Sequence, residues 1–567
     1  MKLTPSMDWN FIKSIFDPRE IIFPFTLRKL FFFLFYALLI AAVVAVETNV
    51  GFFEYLVRAV KSNLIPLMAI LYGFEPLLML VTMAFTRYPD KLPEVSEKAP
   101  EPADLEIQLE EENTQAAIKA HNKKMAVIIV AHNSSKEIEA TLRAYLKIVE
   151  PEQIYIIDNG NSEQPTDNTL SIAKSVSEQI NYFWHNRGNK TVAQFIGLIL
   201  AQADHHEFAL MSDDDVHPPS NFKFNESLLE NEKFKGIFYP IMAISKQEKP
   251  SRLVQFQSIE YKQADHFKMF EDRFHGVLYP HGAIALWKIS VLLRTLLTHS
   301  TRFIAEDLET GIRAARLGYR QRFDANYVFP TEVPTTVLGP DQNLYKQRAR
   351  GWCMGIHTMN LELLRNFFTE WNLKPADVAA LKASQMYTLY NNYVDWTRLL
   401  VMIISANDPT YWGKLAAVIA GQQAMTMFWH YAKLRNRPDL QHDFLTLTTM
   451  FFYRLLLTAF TNIGLLRLLL VYLPNLSPAK TIEELLKSGE FKNLKVELPE
   501  FLASLIAPPK EEVKSENAPG FKDSLYSFFW KEPVSKKPSI TIEEVVETKQ
   551  TEIEPEIELV IDTPSSP

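Results

Sequence analysis

The chain has 567 residues, of which 47% are hydrophobic and 12% aromatic, and a formal net charge of -8. That length admits more than one folding unit, and the acidic balance argues against a general nucleic-acid binder, which shows a basic face. The single cysteine, Cys353, excludes an internal disulfide and a cysteine-rich zinc site.

The N-terminus carries Asp8, Asp17 and Glu20 ahead of the first apolar run and lacks a short basic start. A cleavable signal peptide is therefore not expected, and the first apolar segment stays as an anchor. That segment is Leu30 to Val46, uncharged and preceded by Arg28 and Lys29. With its flanks it reaches the roughly 20 residues a helix needs to cross a bilayer. Leu64 to Phe85 is a second candidate, with Glu75-Pro76 near its middle. An ionisable residue at that depth is costly unless it faces protein or water. Two readings stand: a kinked helix with Glu75 packed inside a bundle, or a place on a translocation path. Residues 88–124 are dominated by Pro, Glu, Lys and Gln and read as a solvated linker that becomes a polar helix.

From Met125 to about Thr335 strand-like runs alternate with helical spacing. Ala126–Ala131, Ile154–Ile157 and Glu207–Met211 read as strands, and Ile138–Ile148 as a helix. Such alternation predicts an α/β domain with a mostly parallel sheet and helices on both faces. Ligands of such folds bind at the carboxyl ends of the strands. After Leu381 the chain turns apolar again, with candidate spans near 384–405, 412–432 and 443–473. The first is rich in Tyr387, Tyr390, Asn391, Asn392, Tyr393 and Asp395, and an interfacial position suits it equally. The third is long enough for one steep helix or two short ones. From Pro474 to Pro567 Glu, Lys, Pro and Ser prevail, as in a largely disordered tail with room for short amphipathic helices.

The expected division is an N-terminal membrane region (1–87), a linker (88–124), the α/β domain (125–360), interfacial and C-terminal membrane helices (361–473) and the tail (474–567). Lys2, Lys13, Arg19, Arg28 and Lys29 precede the first span, and Lys433, Arg435 and Arg437 lie between later ones. Basic residues mark the cytosolic side, so the N-terminus, the α/β domain and that later loop are expected to face the cytosol.

Three clusters can carry chemistry. Asp213-Asp-Asp215 directly follows a strand, so it sits at a carboxyl strand end. Adjacent carboxylates repel unless something positive joins them, and a hard divalent cation takes oxygen ligands. Asp213 and Asp215 share a side of an extended segment; a solvated turn is the plainer alternative. Glu306-Asp307 opens a helical pattern and reads as an N-terminal cap or as a general base for a hydroxyl. Lys346-Gln-Arg-Ala-Arg-Gly-Trp352 suits a diphosphate and a stacked sugar, or a basic segment meeting lipid headgroups.

The order of these motifs, from about Met125 to Gly355, resembles family 2 glycosyltransferases, and the membrane flanks resemble the cellulose, chitin and hyaluronan synthase branch. Val127–Asn133 is similar to the opening strand and nucleotide loop, with His132 and Asn133 in it. Asp158 is similar to the aspartate that contacts the base. Asn186–Lys190, with Ala193, Gln194 and Gly197, is similar to the glycine-lysine segment. Asp213-Asp-Asp215 is similar to the metal-binding Asp-x-Asp, His281-Gly282-Ala283 to the acceptor-side loop, and Glu306-Asp307 to the Glu-Asp pair, with Asp307 as base. His132 and Ser134 stand where the family often has Tyr and an acid. Processive members carry Gln-x-x-Arg-Trp; here Gln347 and Arg350 fit, but Gly351 intervenes before Trp352. One extra residue turns Trp352 by about 100° on a helix, unless a local bulge restores its direction.

The resemblance implies a GT-A fold, Rossmann-like and cytosolic, flanked by transmembrane helices in a multi-pass protein of a bacterial inner membrane or plasma membrane. It implies Mg²⁺ or Mn²⁺ on Asp213 and Asp215, and a nucleotide-sugar donor, a UDP-sugar first, on His132, Asn133, Asp158, Lys190, Asp213, Gln347 and Arg350. Gly282 and Trp352 would face the acceptor, with Glu306 and Asp307 catalytic. The expected activity is inverting, metal-dependent transfer of a sugar, a hexosyl group, onto a growing polysaccharide at the membrane. Its rivals are single glycosylation of a lipid and an inactive membrane scaffold. Saccharide or lipid acceptors and membrane lipids are the expected partners, with no nucleic acid.

Overall fold

The computed structural model describes residues 25–93, 105–247, 249–301, 305–339, 342–371, 375–475 and 480–492, with single positions at 21, 500, 502 and 503. Residues 94–104 of the expected linker and 504–567 of the expected tail lie outside the described residues.

β1 (Met125–Ala131) and β2 (Ile154–Asn159) are buried at every position. Continuous apolar runs of this kind belong in the middle of a sheet covered on both faces. The other strands are β3 (Asn181–His185), β4 (Phe208–Asp213), β5 (Phe234–Phe238), β6 (Ile241–Ile244), β7 (Ile284–Lys288), β8 (Arg320–Phe323) and β9 (Phe329–Glu332). Seven of them form one sheet in the order β3-β2-β1-β4-β7-β5-β8, and β6 pairs with β9. Every pairing is parallel except those of β7 with β4 and β5. The strand order reverses between β1 and β4, which creates a switch point at their carboxyl ends.

Helix Lys190–Ala203 covers one face, where Val192, Phe195, Ile196 and Ile199 join Ile128 and Ile157 in a core. Gly197 makes that approach possible: a Cβ there would sit 2.5 Å from Ile128 Cγ2 and 3.1 Å from Ile157 Cγ1. Helix Ile138–Tyr145 covers the other face through Ile138, Leu142 and Tyr145. The expected α/β domain with helices on both faces is what forms.

Helix Arg252–Phe274 joins this domain to the apolar helices. It packs against β6 and against helices Leu64–Phe85, Pro375–Ile404 and Phe444–Arg467. Its polar residues are buried because they bond at that junction. Asp265 accepts from the Tyr88 hydroxyl at 2.6 Å, and His266 Nδ1 lies 3.0 Å from Thr86 Oγ1.

Three helices among the described residues are long and apolar enough to cross a membrane: Leu27–Val50, Leu64–Phe85 and Phe444–Asn475. The expected spans near 384–405 and 412–432 form helices Pro375–Ile404 and Pro409–Lys433, but their polar residues keep them out of that group. In Leu64–Phe85, Pro76 offers no N–H to the Tyr72 carbonyl, and Gln422 Nε2 donates to it instead at 3.0 Å. Glu75 pairs with Arg454 at 3.2 Å and Arg398 at 3.6 Å, so it is packed inside the bundle.

At the start of the expected tail, residues 480–492 are folded onto the α/β domain and include a short helix of the kind the sequence left room for. A capping box between Thr481 and Glu484 starts helix Ile482–Lys487, and Ile482, Leu485 and Leu486 are buried in the core around helix Lys190–Ala203. Ile482 N–H donates to the His299 carbonyl at 3.3 Å, and Thr301 Oγ1 donates to Lys480 O at 2.7 Å.

Candidate active site

Asp158, the penultimate residue of β2, is buried beside the edge strand β3. Its Oδ2 accepts from the Tyr182 hydroxyl at 2.7 Å, and its Oδ1 has no partner among the described residues. Burial raises its pKa, and the Tyr182 bond opposes the rise. An unmet buried acceptor is costly unless a polar group reaches it, which suits a ligand N–H. The loop after β1 is held beside it. His132 Nδ1 bonds the Asn159 carbonyl, and Asn133 takes a left-handed φ of 57° with its Oδ1 accepting from Thr166 at 2.5 Å.

The three aspartates after β4 have separate partners. Asp214 accepts from the Ser134 hydroxyl, and its carbonyl accepts from Thr141 Oγ1 at 2.7 Å. Ser134 thus ties the loops after β1 and β4 together, a use the sequence did not disclose. Asp213 Oδ1 lies 2.7 Å from Lys190 Nζ, and Asp215 Oδ1 accepts from Thr331 at 3.1 Å. Burial lifts Asp213 to about 6 against the pull of Lys190. Burial, then Asp213 and Asp214, hold Asp215 well above the carboxylate range.

Lys190 links both acidic groups. Asn189 caps its helix through a bond from Val192 N–H at 3.0 Å. Lys190 Nζ then reaches Glu306 Oε1 at 2.9 Å as well as Asp213, and Gly282 O at 3.4 Å. Burial lowers the Lys190 pKa, but the two carboxylates hold it well above the lysine range. Water reaches part of the site, since the Lys190 and Asp213 side chains are each 31% exposed. A Cβ at Gly282 would crowd Glu306 Oε1 at 3.1 Å and Lys190 Nζ at 3.2 Å. Glu306 and Asp307 do open a helix, Glu306–Arg316, and Asp307 Oδ1 accepts from Leu308 N–H at 2.7 Å. Ala305 is the N-cap and makes no side-chain capping bond, so the two carboxylates meet the helix start only as first-turn charges. Burial, then Glu306, raises Asp307 to about 7, with Lys190 opposing.

Asp307 lines a cavity of about 610 Å³ that also touches His281, Arg348 and Trp352 and extends to Glu75, Tyr387, Asn391, Asp395, Arg398 and Arg454. The turn Lys346–Trp352 is a π-helix, with Cys353 N–H donating to Arg348 O five residues back. The residue added by Gly351 is absorbed as a π-bulge, a feature frequent at functional sites, and Trp352 faces the cavity. Gln347 and Arg350 do not line it. Gln347 Oε1 is buried without a partner among the described residues. Arg348, passed over in the sequence in favour of Arg350, is the arginine beside Trp352. Its spacing of four residues from Trp352 puts both on one helical face and was the available signal.

Among the described residues no three acidic, histidine or cysteine side chains are grouped to hold a metal by themselves. A hard cation such as Mg²⁺ commonly takes one or two carboxylates and completes its shell with substrate phosphates. Asp213 and Asp215, neighbouring carboxylates whose charge burial disfavours until a cation would offset it, fit that donor set.

A doubly wound domain with acids at its switch point has the layout of a nucleotide-dependent transferase. Residues 121–354 match the family described as Glycosyltransferase like family 2, and the chain carries a family 2 glycosyltransferase domain, as the motif order implied. The chain is 24% identical over 309 residues to the poly-β-1,6-N-acetyl-D-glucosamine synthase of Staphylococcus epidermidis, covering 53% of this chain and 71% of that protein. Among solved structures it is similar to S. aureus TarS 1–349 in complex with UDP-GlcNAc, at 14% identity and a TM-score of 0.29, covering 60% of this chain and 90% of that one. It is also similar to Mycobacterium tuberculosis glucosyl-3-phosphoglycerate synthase in complex with Mn²⁺, UDP-glucose and phosphoglyceric acid, at 16% identity and a TM-score of 0.26, covering 41% and 79%.

Proposed function

We propose that the chain is a membrane-embedded polysaccharide synthase that transfers a sugar, with inversion, from a nucleotide-diphosphate sugar onto a growing chain. The observation that carries this is the cavity of about 610 Å³ leading from Asp307 and Trp352 to polar and charged side chains between the apolar helices. Such side chains are costly against lipid, and a saccharide path gives them a use. The relative's name makes UDP-N-acetylglucosamine the first donor to test.

In this reading the open Asp158 Oδ1 receives a base N–H, with His132 and Asn133 beside it. Gln347 and Arg350 serve the donor diphosphate. Asp213 and Asp215 hold Mg²⁺ or Mn²⁺, which when bound supplies positive charge against the leaving diphosphate. Lys190 holds Glu306 and Asp213 in register. Asp307 takes the acceptor hydroxyl proton as that oxygen attacks the anomeric carbon. The bond to the diphosphate breaks on the opposite face, so one displacement inverts the centre. Gly282 leaves room for the acceptor, and Trp352 stacks on it.

The catalytic domain is assigned to the cytosol. What supports this is Lys433, the last residue of helix Pro409–Lys433 and the first of a basic cluster, which donates to Thr86 O at 2.7 Å, since basic residues at span ends favour the cytosolic side. The test of the function is the size of labelled product from purified protein under excess donor with Mn²⁺. Polymer is expected; only mono- or disaccharide on lipid overturns it.

A further inference from the structure

Trp352 is 42% exposed, so its ring would turn freely unless something holds it. The Arg348 guanidinium carbon lies 3.9 Å from the Trp352 ring centroid. The guanidinium is itself fixed, because it donates to Glu260 Oε1 at 3.0 Å and Oε2 at 2.9 Å. Tyr453 donates its hydroxyl to Glu260 Oε2 at 2.6 Å. Arg348 is 4% exposed, and its charge is met by that carboxylate. A bidentate arginine–carboxylate pair is rigid, and a planar guanidinium stacks on an aromatic face in a way that an ammonium does not. Four residues apart, Arg348 and Trp352 share one face of the turn Lys346–Trp352, and both line the cavity.

We infer that Arg348 is a positioning residue: anchored by Glu260 and Tyr453, it covers one face of Trp352 and fixes the ring as a platform whose open face meets the acceptor sugar. This rests on the acceptor role proposed above for Trp352. Glu260 belongs to helix Arg252–Phe274 and Tyr453 to helix Phe444–Arg467. The platform is therefore keyed to the elements that join the catalytic domain to the apolar bundle.

The test is a double-mutant cycle on the full-length protein with Arg348→Lys, Trp352→Phe and both together. Donor hydrolysis, KM for an added oligosaccharide and product length are read on each. Arg348→Lys is expected to raise the acceptor KM roughly tenfold, the size of a lost cation–π contact, with donor hydrolysis unchanged. The double variant is expected to be no worse than Trp352→Phe alone. Tyr453→Phe, which leaves Arg348 and Glu260 paired, is expected to act in the same direction more weakly and covers the case in which Arg348→Lys does not fold. Independent, multiplying effects overturn the inference, as does a fall in donor hydrolysis equal to the fall in extension. If wild type adds a single sugar, polymer synthesis fails while the cycle is still read on acceptor KM.

Discussion

Asp307 is where sequence logic and electrostatics bear most directly on each other. Burial and Glu306 raise its pKa to about 7, so at lower pH the carboxyl is protonated and has no capacity to take a proton. Transfer should fall about tenfold per unit below that value and level off above it, checked by kcat/KM from pH 5 to 9 with donor hydrolysis as control. Asp307→Asn should lower transfer roughly 10²- to 10⁴-fold while nucleotide binding survives, measured by calorimetric titration with UDP and Mn²⁺. Loss of binding with the fold intact would refute the role. Asp215 has the opposite use of the same physics. Its folded pKa is raised, so the folded chain resists its ionisation and the cost is present above that pKa and vanishes toward the unfolded value. Asp215→Asn should therefore raise the melting temperature of the metal-free protein at pH 8, not at pH 4, while weakening Mn²⁺-dependent nucleotide binding. The carboxylates were legible because strand ends announce themselves in sequence. The Lys190 bridge and the Ser134–Asp214 bond were not, since both join residues far apart in the chain.

At the scale of elements, β1, β2 and β4 could be read directly because strands buried on both faces are continuous apolar runs. Helix Arg252–Phe274 escaped because it is polar by composition. Lys262, Asp265 and His266 are buried in it with partners on other elements, and buried Glu271 is met by Lys268 of the same helix. Helix Ile482–Lys487 lies in a charged, proline-rich region where a short helix was allowed but not located, although Thr481-x-x-Glu484 is a capping box visible in the sequence. The π-turn at Lys346–Trp352 was foreseeable only as one of two outcomes of inserting Gly351. Gly197 tests how closely helix and sheet must approach. Gly197→Ala would bring its Cβ to 2.5 Å from Ile128 Cγ2, on a rigid branched side chain in the sheet's centre. The expected loss is about 1–3 kcal/mol, read from urea unfolding of the detergent-solubilised protein. An unchanged midpoint would mean the helix can move outward freely.

At the largest scale, the described chain leaves the α/β domain and returns to it. The chain enters helix Phe444–Asn475 beside Gln255, which accepts from Thr446 Oγ1 at 2.5 Å, and by Lys480 it is back on the catalytic domain at Thr301. Along that helix Tyr453 bonds Glu260, Gly464 lies against Cys353, the Thr461 carbonyl bonds His357, and the Leu469 carbonyl accepts from the Tyr36 hydroxyl. This brings Arg454 to Glu75, in the kinked helix, and Thr458 to Asp395 at 3.0 Å. The resulting charged group lines the cavity's far end, so the two sequence readings of Glu75, packed or on a path, describe the same position. Function and packing can still be separated by Glu75→Gln. Arg398 keeps Asp395 at 3.1 Å, and Arg454 keeps Gln263 at 3.2 Å, so the bundle retains partners for both arginines. A purely structural role predicts that melting temperature, donor hydrolysis and polymer extension all decline together, because a weakened bundle loosens the domain resting on it. A saccharide path predicts that donor hydrolysis and melting temperature hold while chains shorten, because the altered charge meets only sugars that have already left Asp307. The distribution of product lengths and the thermal midpoint, measured on one preparation, decide between them.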